Sequence, residues 1–390
     1  MNNLKKIVRS NSFLFSTYCF YQFLLSLLYR VFWIFPIKRD RIVFQSYNGN
    51  YYNDNPKAIS DKMMGKAEII WVIKNASEYN KENVKFVELG SLLSLYYYAT
   101  AHVWIDNCRK SMYMRKRKNQ YYIQMWHGNL ALKCVEKYAE DTLEKDYIIR
   151  AKNDAKMTDL MITNSKWGVN FYRNCFWYSN DIKVWGTARL DCVINSTEFD
   201  KMIIRKKLGV GKEKILLYAP TFRNTNELDC YDIDFNRLKA TLEKKTNDKW
   251  ICLLRLHPNL LNMSEKIVIP GVINVTSYPD IYDLFQICNL VISDYSSNLL
   301  EAASLGIPTV GYANDIKHYI STERKMMFDL EDLPYTITQS NDELNSYLFR
   351  YNYQDEKKRY QLFFNKLGLV EDGRCSEKIC SHVINIMQKN

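Results

Sequence analysis

The stretch CNLVISDYSSNLLEAASLGIPTVGY, residues 288–312, carries the pattern that decides the fold. An apolar run, Leu290–Ser293, is followed by a polar turn, a helical run and a second apolar run, Thr309–Tyr312. Strands that alternate with helices in this way predict a parallel sheet with crossover helices. Because the alternation continues over most of the chain, we expect an α/β protein.

The candidate strands form two series, separated by a polar break near residues 191–200. The first series is Arg41–Ser46, Glu68–Ile73, Val84–Val87, His102–Ile105, Tyr121–Trp126, Leu160–Thr163 and Ile182–Trp185. The second series is Ile215–Ala219, Trp250–Leu256, Val272–Val275, Leu290–Ser293 and Thr309–Tyr312. Two series predict two doubly wound, Rossmann-like domains, residues 39–195 and 196–390, with the C-terminal helices in the second.

The N-terminal segment, residues 1–38, differs from the rest. Between Asn11 and Pro36 it is mostly apolar, and no small-residue cleavage site follows. Its polar residues recur at helical spacing: Ser12, Ser16, Cys19, Gln22, Ser26 and Arg30. They predict a helix with a narrow polar stripe, and basic residues flank it on both sides. We expect the helix to lie in an anionic membrane interface; the alternatives are a helix docked on the protein's own core and a true span.

The composition limits the class of partner. A formal net charge of +11 favours acidic or phosphorylated partners. The basic run Arg115–Lys118 accompanies no recognisable nucleic-acid reader motif, so no nucleic acid is expected. Ten cysteines occur without a CxxC pair or zinc-like spacing, which is typical of reduced thiols. We therefore predict neither a disulfide framework nor a metal site.

Polar residues suited to chemistry follow two of the strands directly. His127 comes at the tip of the run Tyr121–Trp126, and Gly128 permits a sharp turn after it. Arg255 and His257 follow another strand and share one face of an extended segment. Ligands of open parallel sheets bind beyond the carboxyl ends of the strands. A neutral histidine suits proton removal and paired donors suit a phosphate, although a structural hydrogen-bonding role is the alternative for each.

A third polar cluster follows the strand Leu290–Ser293 and opens a helical run. Its members are Asp294, Tyr295, Ser296, Ser297 and Asn298. Small hydroxyl residues cap a helix start, and the free N–H groups there favour an anion. Glu301 lies one turn further on and is expected to form a capping box with Asn298. Thr221 and Arg223, after a different strand, give a weaker signal for contacts with base, ribose or phosphate.

Together these segments resemble the CDP-glycerol glycerophosphotransferase family of wall teichoic acid and capsule synthesis. The likeness runs from about Ile42 to about His318, and its motifs occur jointly and in order. They are SYNGNYYNDNPKAI (46–59), IQMWHGNLALK (123–133), CFWYSNDIKVWGTARLD (175–191), YAPTFR (218–223), LLRLHP (253–258) and the stretch 277–319. Their joint occurrence is far more specific than any single motif.

The resemblance implies a GT-B-like fold with an interdomain cleft, an N-terminal acceptor side and a C-terminal donor side. It implies transfer of glycerol phosphate, or a related polyol phosphate, from CDP-glycerol or CDP-ribitol to a hydroxyl of a lipid-linked or polymer acceptor. CMP is released, and no cofactor or metal is expected. Members of the family are typically peripheral proteins of the cytoplasmic membrane face.

The resemblance also implies roles for individual residues. His127 matches the family histidine expected to act as base on the acceptor hydroxyl. His257 matches a second histidine near the donor pyrophosphate, and Ser296 and Ser297 match a serine pair near the same phosphates. The other expected donor-side residues are Thr221, Arg223, Arg255, Asp294 and Glu301.

Two positions depart from the family pattern. Asn129 stands where members often have threonine after WHG, and Ala188 stands where many have proline in GTPR, so the neighbouring loops are expected to differ. The nearest rival function is a glycosyltransferase of the same fold that uses a nucleotide sugar, which the WHG and LRLHP motifs disfavour. A non-catalytic membrane scaffold is the alternative from another class, and intact His127 and His257 argue against it.

Overall fold

A computed structural model describes residues 11–221, 232–257, 260, 268–316, 319 and 325–389. The chain divides into two compact units. Unit 1 comprises Met1–Asn129, Val135–Asp191 and Val370–Asn390, and unit 2 comprises Leu130–Cys134 and Cys192–Leu369. The predicted α/β architecture with two parallel sheets is confirmed, with one sheet in each unit.

Unit 1 is built on a seven-stranded parallel sheet with the order β3-β2-β1-β4-β5-β6-β7. Its strands are β1 (Lys38–Gln45), β2 (Glu68–Ile73), β3 (Val84–Glu88), β4 (Ala101–Asp106), β5 (Tyr121–Gln124), β6 (Leu160–Thr163) and β7 (Asp181–Val184). Its helices are α1 (Ser12–Val31), α2 (Asp54–Met63), α3 (Leu92–Thr100), α4 (Lys145–Met157), α5 (Lys166–Cys175) and, from the end of the chain, α13 (Cys375–Gln388). A short helix, α6 (Asp191–Ile194), begins at the boundary of the unit.

Unit 2 repeats this topology with a six-stranded sheet in the order β10-β9-β8-β11-β12-β13. Its strands are β8 (Lys214–Tyr218), β9 (Trp250–Leu254), β10 (Val272–Asn274), β11 (Leu290–Ser293), β12 (Thr309–Tyr312) and β13 (Ile337–Thr338). Its described helices include α7 (Glu198–Leu208), α8 (Phe235–Thr246), α9 (Ile281–Ile287), α10 (Ser297–Ser304), α11 (Asn341–Arg350) and α12 (Tyr353–Leu367). Strand β13, which the sequence did not predict, has two residues, too few for a hydrophobic period to show.

Burial on both faces explains why the central strands read as continuous apolar runs. In β1, Ile42 and Phe44 pack into one core cluster, and Val43, between them, packs into another on the opposite face. Helices cover both faces of each such sheet, as parallel sheets require. In each sheet the strand order reverses once, between β1 and β4 in unit 1 and between β8 and β11 in unit 2. The carboxyl ends of these strands are where such folds bind ligands.

The unit boundaries depart from those expected at residues 195 and 196. Unit 1 ends at Asp191, and residues 370–390, expected to belong to the second domain, return to unit 1. The reason is that α13 buries Ile379 and Val383 in the core of the first sheet. The Asp191 carboxylate accepts the backbone N–H of Ser376 at 2.7 Å and so fastens the start of α13.

Helix α1 turns Gln22 and Ser26 of its polar stripe toward the protein, whereas Ser16 and Arg30 of the same stripe are exposed. Gln22 and Ser26 are 9% and 4% exposed, whereas Phe20 and Phe23 are 60% and 54% exposed. Tyr29, fully buried, ties the end of the helix to the core of unit 1. The predicted helix is therefore present, but its apolar face points outward. Across the described part of the chain, no helix combines the length and the hydropathy needed to cross a bilayer.

Candidate active site

His127 lies just beyond the carboxyl end of β5, on a sharp turn of the chain. The turn is made by Trp126, whose φ of 48° is in the left-handed region, and not by Gly128 as the sequence suggested. The backbone carbonyl of Trp126 accepts a hydrogen bond from Asn55 Nδ2 at 3.2 Å. A left-handed tryptophan is unfavourable unless its surroundings hold it, so this turn is a conformation imposed by tertiary packing.

The hydrogen bond of its ring determines which nitrogen of His127 is basic. Nδ1 lies 2.8 Å from the backbone carbonyl oxygen of Asn107, which follows β4. A carbonyl oxygen can only accept, so Nδ1 carries the proton and donates it. The lone pair of the neutral imidazole is then on Nε2, which is the arrangement required of a general base.

The surroundings of the imidazole favour its neutral form. Burial lowers the pKa of His127 below its ordinary value, although the Asn107 hydrogen bond and the charge of Asp54 act in the opposite direction. The ring stacks on Trp126 with centroids 4.2 Å apart, and the Tyr47 ring lies 5.6 Å away. At neutral pH His127 is therefore unprotonated on Nε2 and ready to accept a proton.

A buried ion pair frames this turn. Arg189 Nη1 lies 2.8 Å from Asp54 Oδ2, and both side chains are 3% exposed. Tyr47 donates its hydroxyl to the same carboxylate oxygen at 2.7 Å. Arg189 also donates through Nη2 to the backbone carbonyl of His127 at 3.2 Å. The pair thus joins two distant segments, 46–59 and 175–191, directly to the turn that presents His127.

A second buried set of charged side chains packs against the Trp126 ring. Arg109 contacts Glu136 at 2.6 Å and Asp154 at 3.1 Å, and its guanidinium lies 5.6 Å from the centre of the Trp126 ring. All three charged side chains are almost fully buried. Since Trp126 stacks directly on His127, this group fixes the plane against which the imidazole rests.

Asn129, which stands where many family members have threonine, belongs to a chain of hydrogen bonds beside His127. Asn129 donates to Thr187 Oγ1 at 3.0 Å and accepts from the Tyr172 hydroxyl at 2.7 Å. Thr187 in turn donates to Glu371, in the segment that returns from the end of the chain. The residue before Thr187, Gly186, has φ +109°, which favours glycine. Asn129 therefore links the WHG turn to the neighbouring GTAR segment.

In unit 2 the serine cluster starts helix α10 after β11. Ser296, and not Asn298, is the N-cap residue, and its hydroxyl accepts the backbone N–H of Asn298 at 3.2 Å. Ser297 is the first helical residue and is half-buried. The buried Asp294 carboxylate accepts the backbone N–H of Thr221 at 2.9 Å. Asp294 thus ties the loop after β8 to the loop after β11, at the reversal point of the second sheet.

Arg255 and His257 follow β9 at the same edge of that sheet. Arg255 Nη1 donates to the backbone carbonyls of Val275 and Tyr278, in the loop after β10. His257 is exposed, and its pKa is lowered by partial burial and then by the charges of Arg255 and Lys133. Because β8 separates β9 from β11, these two residues start about 10 Å from the serine cluster, a spacing of two strands.

For two of the expected donor-side residues, Glu301 and Arg223, the structure does not confirm the expected role. Glu301 does not form the predicted capping box; its carboxylate is buried and accepts the Tyr282 hydroxyl at 2.8 Å. The cap fails because Ser296 starts the helix two residues earlier than the Asn298 cap requires. Arg223 lies outside the described residues. In the described ranges, no three histidine, cysteine, aspartate or glutamate residues are grouped so as to hold a metal ion.

Comparisons with known proteins show which family this chain resembles in sequence and in fold. Residues 27–385 match the model of the family described as CDP-glycerol:poly(glycerophosphate) glycerophosphotransferase. The chain belongs to this family. The family prediction made from the sequence is therefore confirmed, and with it the transferase class.

Two curated relatives match nearly their whole length. A teichoic acid poly(glycerol phosphate) polymerase of Bacillus spizizenii is 26% identical over 92% of this chain and 95% of its own. A teichoic acid glycerol-phosphate transferase of Staphylococcus aureus is 26% identical over 88% of this chain and 93% of its own. Among solved structures, the wall teichoic acid polymerase TagF is similar with a TM-score of 0.81 and 25% identity, covering 93% of this chain and 94% of that one. The GT-B-like class expected for this family agrees with that likeness.

The residues missed by sequence reasoning are Tyr47, Asp54, Asn107 and Arg189. Two of the segments quoted for the resemblance, 46–59 and 175–191, contain three of them. Their participation shows only when the two segments close over the WHG turn, which is a tertiary event. The sequence contained one signal for the ion pair: one motif carries an acidic residue, Asp54, and the other carries an arginine, Arg189.

The buried pair leads to a stability prediction. Asp54→Ala should lower the free energy of unfolding by about 3–5 kcal/mol, because it leaves the buried Arg189 guanidinium without its carboxylate. The measurement is urea unfolding followed by tryptophan fluorescence. Glu377→Ala, which removes one partner of the exposed pair Arg374–Glu377, is the control and should have a far smaller effect, because solvent screens an exposed pair. Equal effects of the two variants would contradict the framing role of Asp54.

Proposed function

We propose that the chain transfers glycerol phosphate, or a related polyol phosphate such as ribitol phosphate, from a CDP-activated donor to a hydroxyl of a lipid-linked or polymer acceptor. CMP is the second product, and the process served is teichoic acid or capsule synthesis. The observation that carries the proposal is the His127 ring, held neutral with Nδ1 bound to Asn107 and Nε2 left basic. Unit 1 then serves the acceptor, and unit 2 the donor.

The chemistry follows from that proton state. The acceptor hydroxyl gives its proton to His127 Nε2 as its oxygen attacks the phosphorus that bears the polyol. A new P–O bond forms, the bond to the bridging oxygen of the pyrophosphate breaks, and CMP leaves with that oxygen. Little covalent work falls to the protein, so rate enhancement depends on positioning and on charge stabilisation. The turn at Trp126, held by Arg189 and Arg109, supplies the positioning of the base.

Residues of unit 2 are assigned to the donor. The start of α10 presents the positive end of the helix dipole, which favours a pyrophosphate. Ser296 and Ser297 stand at that start, and His257 and Arg255 supply donors at the same sheet edge. Asp294 and Thr221 act by holding two loops together, since the hydrogen bond between them joins one loop to the other. Arg223 and Glu301 stay predictions from the family resemblance.

Replacement of the base gives the first functional prediction. His127→Ala should lower the rate of CMP release by roughly two to four orders of magnitude, with binding of CDP-glycerol largely kept. His382→Ala is the matched control, because His382 is also a half-buried histidine of unit 1, hydrogen-bonded to Tyr121, and should leave turnover unchanged. Near-normal CMP release from His127→Ala would contradict the assignment of His127 as the general base.

The pH profile tests the same role independently. The base works only when unprotonated, so kcat/KM falls as the pH drops through the pKa of His127. Since burial lowers that pKa, the acid limb of the wild-type profile should have its midpoint below the ordinary histidine value of about 6.5. An acid limb centred clearly above that value would speak against His127 as the group that titrates.

The serine pair gives the donor-side prediction. Ser296→Ala with Ser297→Ala should weaken CDP-glycerol binding about tenfold or more, since hydrogen bonds to charged groups contribute about 1.5–3 kcal/mol each. The binding is measured by calorimetry. Ser340→Ala is the control, because Ser340 caps α11 in the same unit and its loss costs a similar helix cap. Unchanged affinity in the double variant, or an equal loss in the control, would refute the donor site.

The N-terminal helix is assigned to the cytoplasmic membrane face, where it would place the enzyme beside a lipid-linked acceptor. The outward apolar face of α1 and its basic flanks support a helix that lies in the interface. Because Tyr29 is part of the core, substitution is a cleaner test than truncation. Phe20→Ser with Phe23→Ser should weaken liposome binding, whereas Leu362→Ser, at an even more exposed apolar position of unit 2, should not. Protease protection of the N-terminus in inside-out vesicles would show that the segment crosses.

A further inference from the structure

A cavity of about 550 Å³ opens at the amino ends of three strands of unit 1. Its lining residues are Ile37, Arg39, His102, Arg117, Lys118, Asn119, Gln120, Tyr121, Ile386 and Lys389. They belong to the starts of β1, β4 and β5 and to the end of α13. Since all strands of this sheet are parallel, the cavity lies at the edge opposite to the carboxyl ends near His127. It is therefore a second feature of unit 1, separate from the candidate active site.

The lining of this cavity, called here the basic pocket, is strongly cationic. Four of its residues are lysine or arginine, and none is aspartate or glutamate. In the described residues, neither Lys118 nor Lys389 forms an ion pair, whereas nearby Lys116 pairs with Asp159. Like charges gathered around one cavity repel one another, and a bound anion relieves that repulsion. The chemistry of the pocket therefore matches a phosphate.

Hydrogen bonds hold two side chains of the pocket lining in place. His102 Nδ1 lies 3.2 Å from the backbone carbonyl oxygen of Arg39, so it donates there. Arg117 donates through Nη1 to the carbonyls of Phe35 and Ala99, at 2.8 and 3.0 Å. These bonds fasten the basic loop to the segment that leaves α1. The pocket is thus a fixed part of unit 1 next to the N-terminal helix.

The apolar surface beside the pocket identifies the source of the phosphate. Ile37 lines the pocket, and the chain just before it leaves Val31 58% and Ile34 77% exposed. Further along α1, Phe20 and Phe23 are exposed as well. An outward apolar face next to a cationic pocket matches the layers of a membrane surface, in which acyl chains lie below phosphates. A soluble phosphate would leave this apolar surface in water.

We propose that the basic pocket binds the headgroup phosphate of an anionic phospholipid while the apolar face of α1 enters the acyl layer. The proposal rests on the membrane association assigned above and adds lipid selectivity to it. The helix provides adsorption to any bilayer, and the pocket provides preference for an anionic one. Gln120 and Asn119 supply uncharged lining at the same place.

The test uses the full chain and two kinds of vesicle, pure phosphatidylcholine and phosphatidylcholine with phosphatidylglycerol. Lys118→Ala with Lys389→Ala should weaken binding to the anionic vesicles about tenfold or more, with binding to the neutral vesicles unchanged. Lys206→Ala with Lys207→Ala is the control, because it removes the same charge from exposed positions of α7 in unit 2. An equal loss in the control pair, or no loss in the pocket pair, would overturn the proposal.

Two further readouts separate the possible failures. Calorimetry with inorganic phosphate asks whether the pocket takes a soluble ion: phosphate binding that the pocket pair abolishes, with vesicle binding intact, would overturn the lipid assignment. CMP release with a soluble acceptor analogue, without vesicles, should be the same in the pocket pair and in the wild type. If the wild type itself releases no CMP, the proposed function fails, and the vesicle result still decides the pocket.

Discussion

The buried pair of Asp54 and Arg189 is the interaction on which the first-unit site depends. Its partners are 135 positions apart, and both side chains are 3% exposed. Breaking such a pair leaves an uncompensated charge in a poorly solvated place, which is far more costly than the pair is stabilising. The segments that carry the two residues must therefore close over the WHG turn. Arg189, through the carbonyl of His127, transmits that constraint to the base.

Parallel strands give unit 1 two edges with different properties. The carboxyl edge carries Asn107, Trp126 and His127, and the amino edge carries the basic pocket beside α1. Strand β4 has six residues, so at about 3.3 Å per residue the two edges stand roughly 20 Å apart. If the amino edge faces the bilayer, an acceptor chain has to reach about that distance from its lipid anchor. A polymer acceptor meets this condition more readily than a bare lipid headgroup.

Sequence reasoning succeeded where one local pattern controls the outcome. The apolar runs predicted the two parallel sheets, and polar residues after those runs identified His127, Arg255, Asp294 and the serine pair as residues at carboxyl ends. It failed where packing overrules local preference. Gly128 was expected to make the sharp turn, yet Trp126 adopts the left-handed conformation because Arg109, Asn55 and His127 hold it from three sides. The capping box with Glu301 did not form either, because Ser296 and not Asn298 caps the helix, and the Glu301 carboxylate accepts the Tyr282 hydroxyl instead.

By itself, the sequence determined the family, the alternation of strands and helices, and the polar stripe of the N-terminal helix. These follow from periodicity and from ordered motifs, both of which are local. Only the tertiary structure decided that Gln22 and Ser26 of that stripe face the protein, that α13 returns to unit 1, and that Nε2 of His127 is the basic nitrogen. Each of these depends on a partner far away in the chain, such as Asn107 for His127 or Asp191 for α13. Hydrogen bonds and buried charges between distant segments leave no period in the sequence, so spacing alone cannot predict them.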